Sequence, residues 1–190
     1  DAPWKTIDLS RHIGSGSGLG IGVASPEDDL LAMTTDDGSE GLVYFPAQDK
    51  VLSTGPMRTV GSTNEPMIMP YIDAYSKHVI FADMEGNVAL FDLVNGNGKP
   101  ERFTVKFSPR FIRTGWLEST WILAGDKGIM FQSFKDPSDR KVVRFVPEVM
   151  NMWVTGDSKT ALYTLDEGAP AIYRFDIRTR EQLPPIRVRG

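Results

Sequence analysis

The sequence predicts an all-β protein, a β-propeller of about four four-stranded antiparallel blades that forms either a small ring or an arc of a larger propeller. A hairpin unit recurs four times with turn glycines at Gly38, Gly86, Gly128 and Gly168, so that successive intervals are 48, 42 and 40 positions. This period is typical of one propeller blade. Apolar residues at helical spacing are nearly absent, which predicts minimal α-helix.

The second unit shows the blade pattern most clearly. Four short apolar runs, rich in strand-forming residues, alternate with turn segments that contain Asp, Asn, Gly, Ser and Lys. The runs lie at 67–73, 78–82, 88–93 and 102–107. Strands of this length joined by tight turns form one antiparallel sheet, so we assign residues from about 63 to 107 to a blade.

The same pattern recurs in the other three units, which predict blades at about 19–62, 108–147 and 148–190. Their strands are expected at 20–24, 30–34, 42–45 and 51–54, at 110–116, 121–125, 129–134 and 141–146, and at 149–155, 161–165, 171–177 and 182–188. Residues 1–18 are predicted to form an N-terminal strand and a Gly/Ser connector. An aromatic residue recurs in each third strand, where a large side chain can wedge between neighbouring sheets. These residues are Phe45, Phe91, Phe134 and Phe175.

Two of these third strands end in an aromatic residue followed by aspartate, at Phe91-Asp92 and Phe175-Asp176. WD-repeat proteins carry their Trp-Asp pair at this place, so residues 19–188 resemble the WD-repeat and YVTN-like propeller superfamily. Phe stands where that family has Trp, and no Gly-His pair precedes the second strands. The resemblance implies a scaffold that binds proteins or peptides on its loop faces, and less often an enzyme with a cofactor over the central channel.

Two segments compete for the last edge of the ring. Residues 4–9 alternate like a strand and precede the innermost strand of the first unit, whereas residues 182–188 already supply a last strand to the fourth unit. Pro184 and Pro185 weaken that last strand because proline lacks the N–H that a ladder requires. Either 182–188 is a tail and four blades close, or the chain is an arc. The arc is favoured, since four blades is the low end of the usual range.

Composition restricts the function classes. The 190 residues contain no cysteine, which excludes disulfides and thiolate chemistry, and there is no apolar run of membrane-spanning length, so we expect a soluble protein with no membrane partner. Residues 1–95 carry 5 Lys or Arg against 14 Asp or Glu, and residues 96–190 carry 16 against 11. This asymmetry could steer a charged partner or a second copy of the chain, although solvated loops also explain it.

Catalytic and cofactor motifs are not recognisable. The glycine-rich stretch at 14–22 lacks the register and the Lys-Ser or Lys-Thr ending of a phosphate loop, and we interpret it as a connector. His12 and His78 lie in different environments, so no metal site is expected, and His78 is interpreted as a sheet residue with a satisfied ring. The basic stretch at 99–113 places its aromatic residues on the face opposite its cations, so nucleic acid is not expected as a partner.

The candidate binding residues lie on the innermost strands and the loops that enter them, where propellers expose side chains around the channel mouth. They are Arg58, Tyr71, Asp73, Arg113, Trp116, Asn151 and Trp153. Together with the absence of catalytic motifs, they predict a non-catalytic module for protein or peptide recognition that is part of a longer chain or assembly and has no cofactor. The alternative is a quinoprotein-like or hydrolase-like propeller enzyme in which Asp73, Arg113 and Asn151 converge at the channel mouth.

Overall fold

The computed structural model describes residues 8–13, 18–26, 29–57, 69–73, 75, 77–115, 117, 119–136, 138–144, 147–167 and 170–187. Within these residues every regular element is a β-strand, and the strands form four separate four-stranded sheets. Each sheet is antiparallel, with its strands side by side in chain order. The predicted all-β propeller fold is therefore confirmed.

Each blade is a run of four consecutive strands. The first contains β1 (Leu19–Ala24), β2 (Leu31–Thr35), β3 (Glu40–Phe45) and β4 (Lys50–Pro56). The second contains β5 (Met69–Ile72), β6 (His78–Ala82), β7 (Asn87–Asp92) and β8 (Glu101–Thr104). The third contains β9 (Pro109–Gly115), β10 (Thr120–Gly125), β11 (Gly128–Ser133) and β12 (Arg140–Arg144). The fourth contains β13 (Val149–Val154), β14 (Thr160–Leu165), β15 (Ala171–Asp176) and β16 (Glu181–Arg187).

The first strand of each blade is the innermost one. β5 packs against β1 on one side and β9 on the other, and β9 packs against β13, so the first strands of successive blades meet. The middle strands of the second and third blades are buried on both faces, which explains their near-continuous apolar sequences. The fourth strands are largely exposed and form the outer rim.

Three apolar clusters join the blades in sequence. Residues of β2 and β3 pack on β6 and β7, residues of β6 and β7 pack on β10, and residues of β10 and β11 pack on β13 to β15. Phe91 and Phe175 are almost fully buried in these clusters, and Phe45 and Phe134 are partly buried against them. The third-strand aromatics therefore do lie between sheets. A glycine also lets the first two blades approach closely, because a Cβ on Gly41 of β3 would lie 2.4 Å from the Phe81 ring of β6.

The turn glycines differ in their physical role. Gly38 and Gly86 adopt positive φ angles of 64° and 89°, as their predicted turn role requires. At the third turn the prediction that Gly128 is the turn residue is wrong, because the positive φ of 61° belongs to Lys127. Gly128 instead begins β11, where a Cβ would lie 3.0 Å from the Phe107 ring. That glycine is needed for packing space, and the predicted turn glycine Gly168 lies outside the described residues.

The two segments predicted to compete for the last edge lie in different places. Leu9 is buried against Met33, Leu42 and Tyr44, so residues 8–13 cover the face of the first blade that points away from the second. The rest of the competing segment, residues 4–7, lies outside the described residues. Residues 181–187 form β16, paired to β15 despite Pro184 and Pro185, and are therefore a strand of the fourth blade.

In the described part of the chain, no packing of comparable extent joins the fourth blade to the first. Large apolar side chains remain exposed on both of these blades: Leu19, Ile21 and Val23 on β1, and Met150, Trp153 and Ile186 on the fourth blade. Among the described residues, packing between blades runs from the first to the second, from the second to the third and from the third to the fourth. Within the described residues, no helix has the length and hydropathy needed to span a membrane.

Candidate functional site

Three of the sequence-predicted binding residues line one pocket. Tyr71, Arg113 and Trp153 lie near the carboxyl ends of β5, β9 and β13. Because innermost strands run in the same direction around a propeller axis, these ends meet at one end of the channel. The pocket has a volume of about 370 Å³, and its wall is completed by Thr114, Val154, Thr155, Gly156 and Ser158.

The guanidinium of Arg113 is the only charged group among these eight lining residues. It is half-buried, and it donates from Nε to the Met152 carbonyl at 3.2 Å and from Nη1 to the Ile112 carbonyl at 2.7 Å. Its carbon also lies 6.0 Å from the centre of the Phe111 ring. These contacts bring the third and fourth blades together and fix the cation at the pocket wall.

Two aromatic side chains flank this cation. Trp153 is 49% exposed, which leaves much of the indole available to a ligand. Tyr71 is half-buried, with its ring edge-on to Trp121 at 5.6 Å and its hydroxyl 3.4 Å from Oγ1 of Thr114. The Tyr71 ring is therefore held in place by core packing, as a preorganised binding surface requires.

Hydroxyl groups from the β13–β14 turn form the remaining polar wall. Oγ1 of Thr155 donates to Asp157 at 2.6 Å and accepts the N–H of Thr160 at 3.1 Å. Ser158 is 1% exposed and has a φ of 56°, and its Oγ has no hydrogen-bond partner among the described residues. This oxygen has almost no accessible surface, so it packs within the wall and is not presented to a ligand in the pocket.

Asp73 and His78 form a separate buried pair. Nδ1 of His78 lies 2.7 Å from Oδ2 of Asp73, and Oδ1 of Asp73 accepts the N–H of Lys77 at 2.8 Å. The His78 ring also packs on Phe134, with 4.7 Å between ring centres, so its ring is satisfied as predicted. Burial raises the pKa of Asp73, but the hydrogen bonds from His78 and Lys77 outweigh it and hold that pKa below its usual value.

The other predicted site residues are placed differently. Asn151 is exposed in the middle of β13 and does not line the pocket. Asp73 is buried in the β5–β6 turn and does not line it either. Arg58 and Trp116 lie outside the described residues. The structure therefore does not bring Asp73, Arg113 and Asn151 together into one lining.

The sequence did not single out the hydroxyl-bearing residues of the pocket, Thr114, Thr155 and Ser158. Thr114 lies among polar and charged residues of its strand, and Thr155 and Ser158 belong to a segment that is typical of an ordinary hairpin turn. Ser158 adopts a positive φ although it is not a glycine, so its residue type does not indicate this backbone conformation. No signal in the sequence distinguishes that turn from the others.

The eight described lining residues supply one cation, two aromatic rings and several hydroxyls, including the phenol of Tyr71. In the described chain, no three His, Asp or Glu side chains lie close enough together to hold a metal ion. The arrangement can bind an anionic group beside an apolar or aromatic one.

Comparisons with known proteins identify the fold. No protein-family model and no curated protein sequence matches the chain. It is similar to a solved structure of Kuenenia stuttgartiensis hydrazine synthase, with a TM-score of 0.66 and 14% identity over 96% of this chain and 53% of that one. It is also similar to dihydro-heme d1 dehydrogenase NirN in complex with DHE, with a TM-score of 0.56 and 13% identity over 91% of this chain and 38% of that one.

Both neighbours are β-propeller proteins, so the chain is a β-propeller protein. At this level of identity the likeness concerns the fold alone. The chain spans about half or less of the length of each neighbour, at 53% and 38%.

Proposed function

We propose that this β-propeller is a recognition module that binds a protein or peptide partner in the pocket formed by Tyr71, Arg113 and Trp153. The observation that carries the proposal is the convergence of these three side chains from three different blades onto one pocket. The WD-repeat resemblance at Phe91-Asp92 and Phe175-Asp176 supports the same role, because it implies partner binding on loop faces.

The residue types of the pocket support partner binding. Trp, Tyr and Arg are the side chains most enriched among residues that dominate binding energy at protein interfaces. Trp153 offers a large exposed apolar surface, while Arg113 and Tyr71 are already held by contacts within the protein. A partner would thus lose little free energy to ordering these two groups.

A test uses peptides selected from a phage-displayed library of random 12-residue peptides, with affinity measured by isothermal titration calorimetry. We expect Trp153→Ala to raise the Kd of the selected peptides about 30-fold, corresponding to loss of about 2 kcal/mol. Met150→Ala is the matched control, because Met150 is 47% exposed on the same strand but does not line the pocket. Peptides whose affinity is unchanged by Trp153→Ala would place recognition elsewhere and contradict the proposal.

The second candidate function is a propeller enzyme with a ligand over the channel. It is favoured by the names of the two structural neighbours, which are a synthase and a dehydrogenase, the latter in complex with a small molecule. It has less support from the pocket itself, whose described lining holds no imidazole or carboxylate, the side chains that most often transfer protons in catalysis. Retention of a coloured or redox-active compound through purification, lost in Arg113→Gln, would favour this candidate.

We also propose that copies of the chain associate through their acidic and basic halves. The opposite charge balance of residues 1–95 and 96–190 supports this, as do the exposed apolar side chains on the first and fourth blades. We expect the sedimentation coefficient at fixed protein concentration to fall as NaCl rises from about 50 to 500 mM, since salt screens such attraction over a Debye length that falls from about 14 to 4 Å. A coefficient that does not change with salt would contradict charge-driven association.

A further inference from the structure

Among the described residues, the half-buried Arg113 has no acidic partner, unlike three other arginines of the third and fourth blades. Arg110 pairs with Glu148, Arg140 with Glu101, and Arg180 with Asp139, whereas Arg174, like Arg113, donates to a backbone carbonyl. Arg113 contacts only the carbonyls of Ile112 and Met152 among its polar neighbours in the described chain. A guanidinium has five N–H donors, so these two bonds leave donors for another acceptor.

The aromatic residues of the pocket provide an independent observation. Trp153 is 49% exposed, and the Tyr71 ring is held edge-on to Trp121 at 5.6 Å. The pocket therefore combines a guanidinium that retains N–H donors for a ligand with two aromatic surfaces.

The charge of the lining limits the ligand group. The described lining residues include one guanidinium and no acidic side chain, which suits a group with one negative charge better than a phosphate monoester, which carries close to two at neutral pH. A carboxylate has one charge and two oxygens, and its planar geometry suits a guanidinium. Trp153 and Tyr71, beside the cation, suit an aromatic or large apolar group attached to that carboxylate.

We propose that the pocket recognises a carboxylate next to an aromatic or large apolar side chain, with Arg113 binding the carboxylate oxygens and Trp153 packing on the apolar group. This proposal rests on the proposed recognition function and names the group that is recognised. The carboxylate can come from the C-terminus of a peptide or from an acidic side chain, and the chemistry is the same in both cases.

Three small probes test the proposal by ligand-observed NMR titration with the intact chain. N-acetyl-phenylalanine carries a terminal carboxylate, N-acetyl-phenylalanyl-glutamyl amide carries it on a side chain, and N-acetyl-phenylalaninamide carries none. We expect at least one of the two carboxylate probes to bind 10-fold or more tightly than the amide. The stronger of the two identifies the source of the carboxylate.

Variants then assign the discrimination to named residues. Arg113→Gln is expected to abolish the preference for carboxylate, because it removes the charged donor. Arg178→Gln is the control, since it removes one positive charge from an exposed residue that does not line the pocket. Thermal unfolding of each variant verifies that the fold is retained, and Arg113→Lys, which keeps the charge, covers the case in which Arg113→Gln fails to fold.

The outcomes separate this proposal from the one it rests on. Carboxylate recognition is overturned if neither of the two carboxylate probes binds more tightly than the amide probe. If selected peptides still lose affinity in Trp153→Ala under that outcome, the recognition function stands without it. If instead the acid probe binds in an Arg113-dependent way while selected peptides ignore Trp153, the pocket is a small-molecule site and the recognition function is wrong.

Discussion

Replacement of Trp121 by alanine is expected to lower the free energy of unfolding by about 3–5 kcal/mol, the usual cost of removing a large aromatic side chain from a core. The indole is fully buried between the second and third blades. Its ring lies edge-on to Tyr71 at 5.6 Å and 4.9 Å from the Phe134 ring. Because these neighbours belong to two blades, the cavity would weaken the attachment of one blade to the other. Urea denaturation followed by circular dichroism measures the change.

Two further variants make this result specific. No described group accepts a hydrogen bond from Nε1 of Trp121, so Trp121→Phe removes volume without breaking such a bond and is expected to cost only about 1–2 kcal/mol. Trp153→Ala is expected to cost clearly less than Trp121→Ala, because the Trp153 indole is 49% exposed whereas the Trp121 indole is fully buried. Equal losses in Trp121→Ala and Trp153→Ala would show that Trp121 does not act as a wedge between blades.

The repeating blade could be predicted because each strand carries its own local signal. In the second blade, β6 and β7 are continuous apolar runs bounded by turn residues, and their positions follow from sequence within one residue. The role of Gly128 could not be predicted, since a glycine that makes room for Phe107 looks identical in sequence to one that adopts positive φ. Packing between strands distant in the chain decides that difference.

The candidate site was predictable only in part, for a related reason. Tyr71, Arg113 and Trp153 could be singled out because innermost strands converge around an axis, which is a property of the fold. The burial of Ser158 depends on packing between strands distant in the chain, so the sequence does not indicate that this residue is part of the pocket wall. Asp73 was singled out for the same reason as Tyr71, yet it is buried and pairs with His78.

That buried pair leads to the second large effect, a loss of stability in acid that depends on Asp73. The carboxylate is 3% exposed and accepts hydrogen bonds from the His78 ring and the Lys77 N–H, which hold its pKa below the usual value against the opposing effect of burial. A carboxyl whose pKa is lower in the folded than in the unfolded state binds protons more weakly when folded. Its contribution is therefore complete above the unfolded pKa of about 4, and it is lost as the pH falls through the lower folded value.

Asp73→Asn tests this contribution while conserving size and shape. We expect the variant to be less stable than the parent by about 1–3 kcal/mol at neutral pH, because a buried charged acceptor is lost. The difference should remain constant down to about pH 5 and shrink below about pH 4, where the carboxyl of the unfolded parent takes up a proton before the folded one does. Urea titrations at a series of pH values measure this difference in stability.

Asp136→Asn is the control. Asp136 also accepts a turn N–H and has a lowered pKa but is exposed, so the loss of stability in this variant should be smaller. A difference between the parent and Asp73→Asn that grows as the pH falls below 4 would have the opposite sign and contradict the proposed role of the carboxylate.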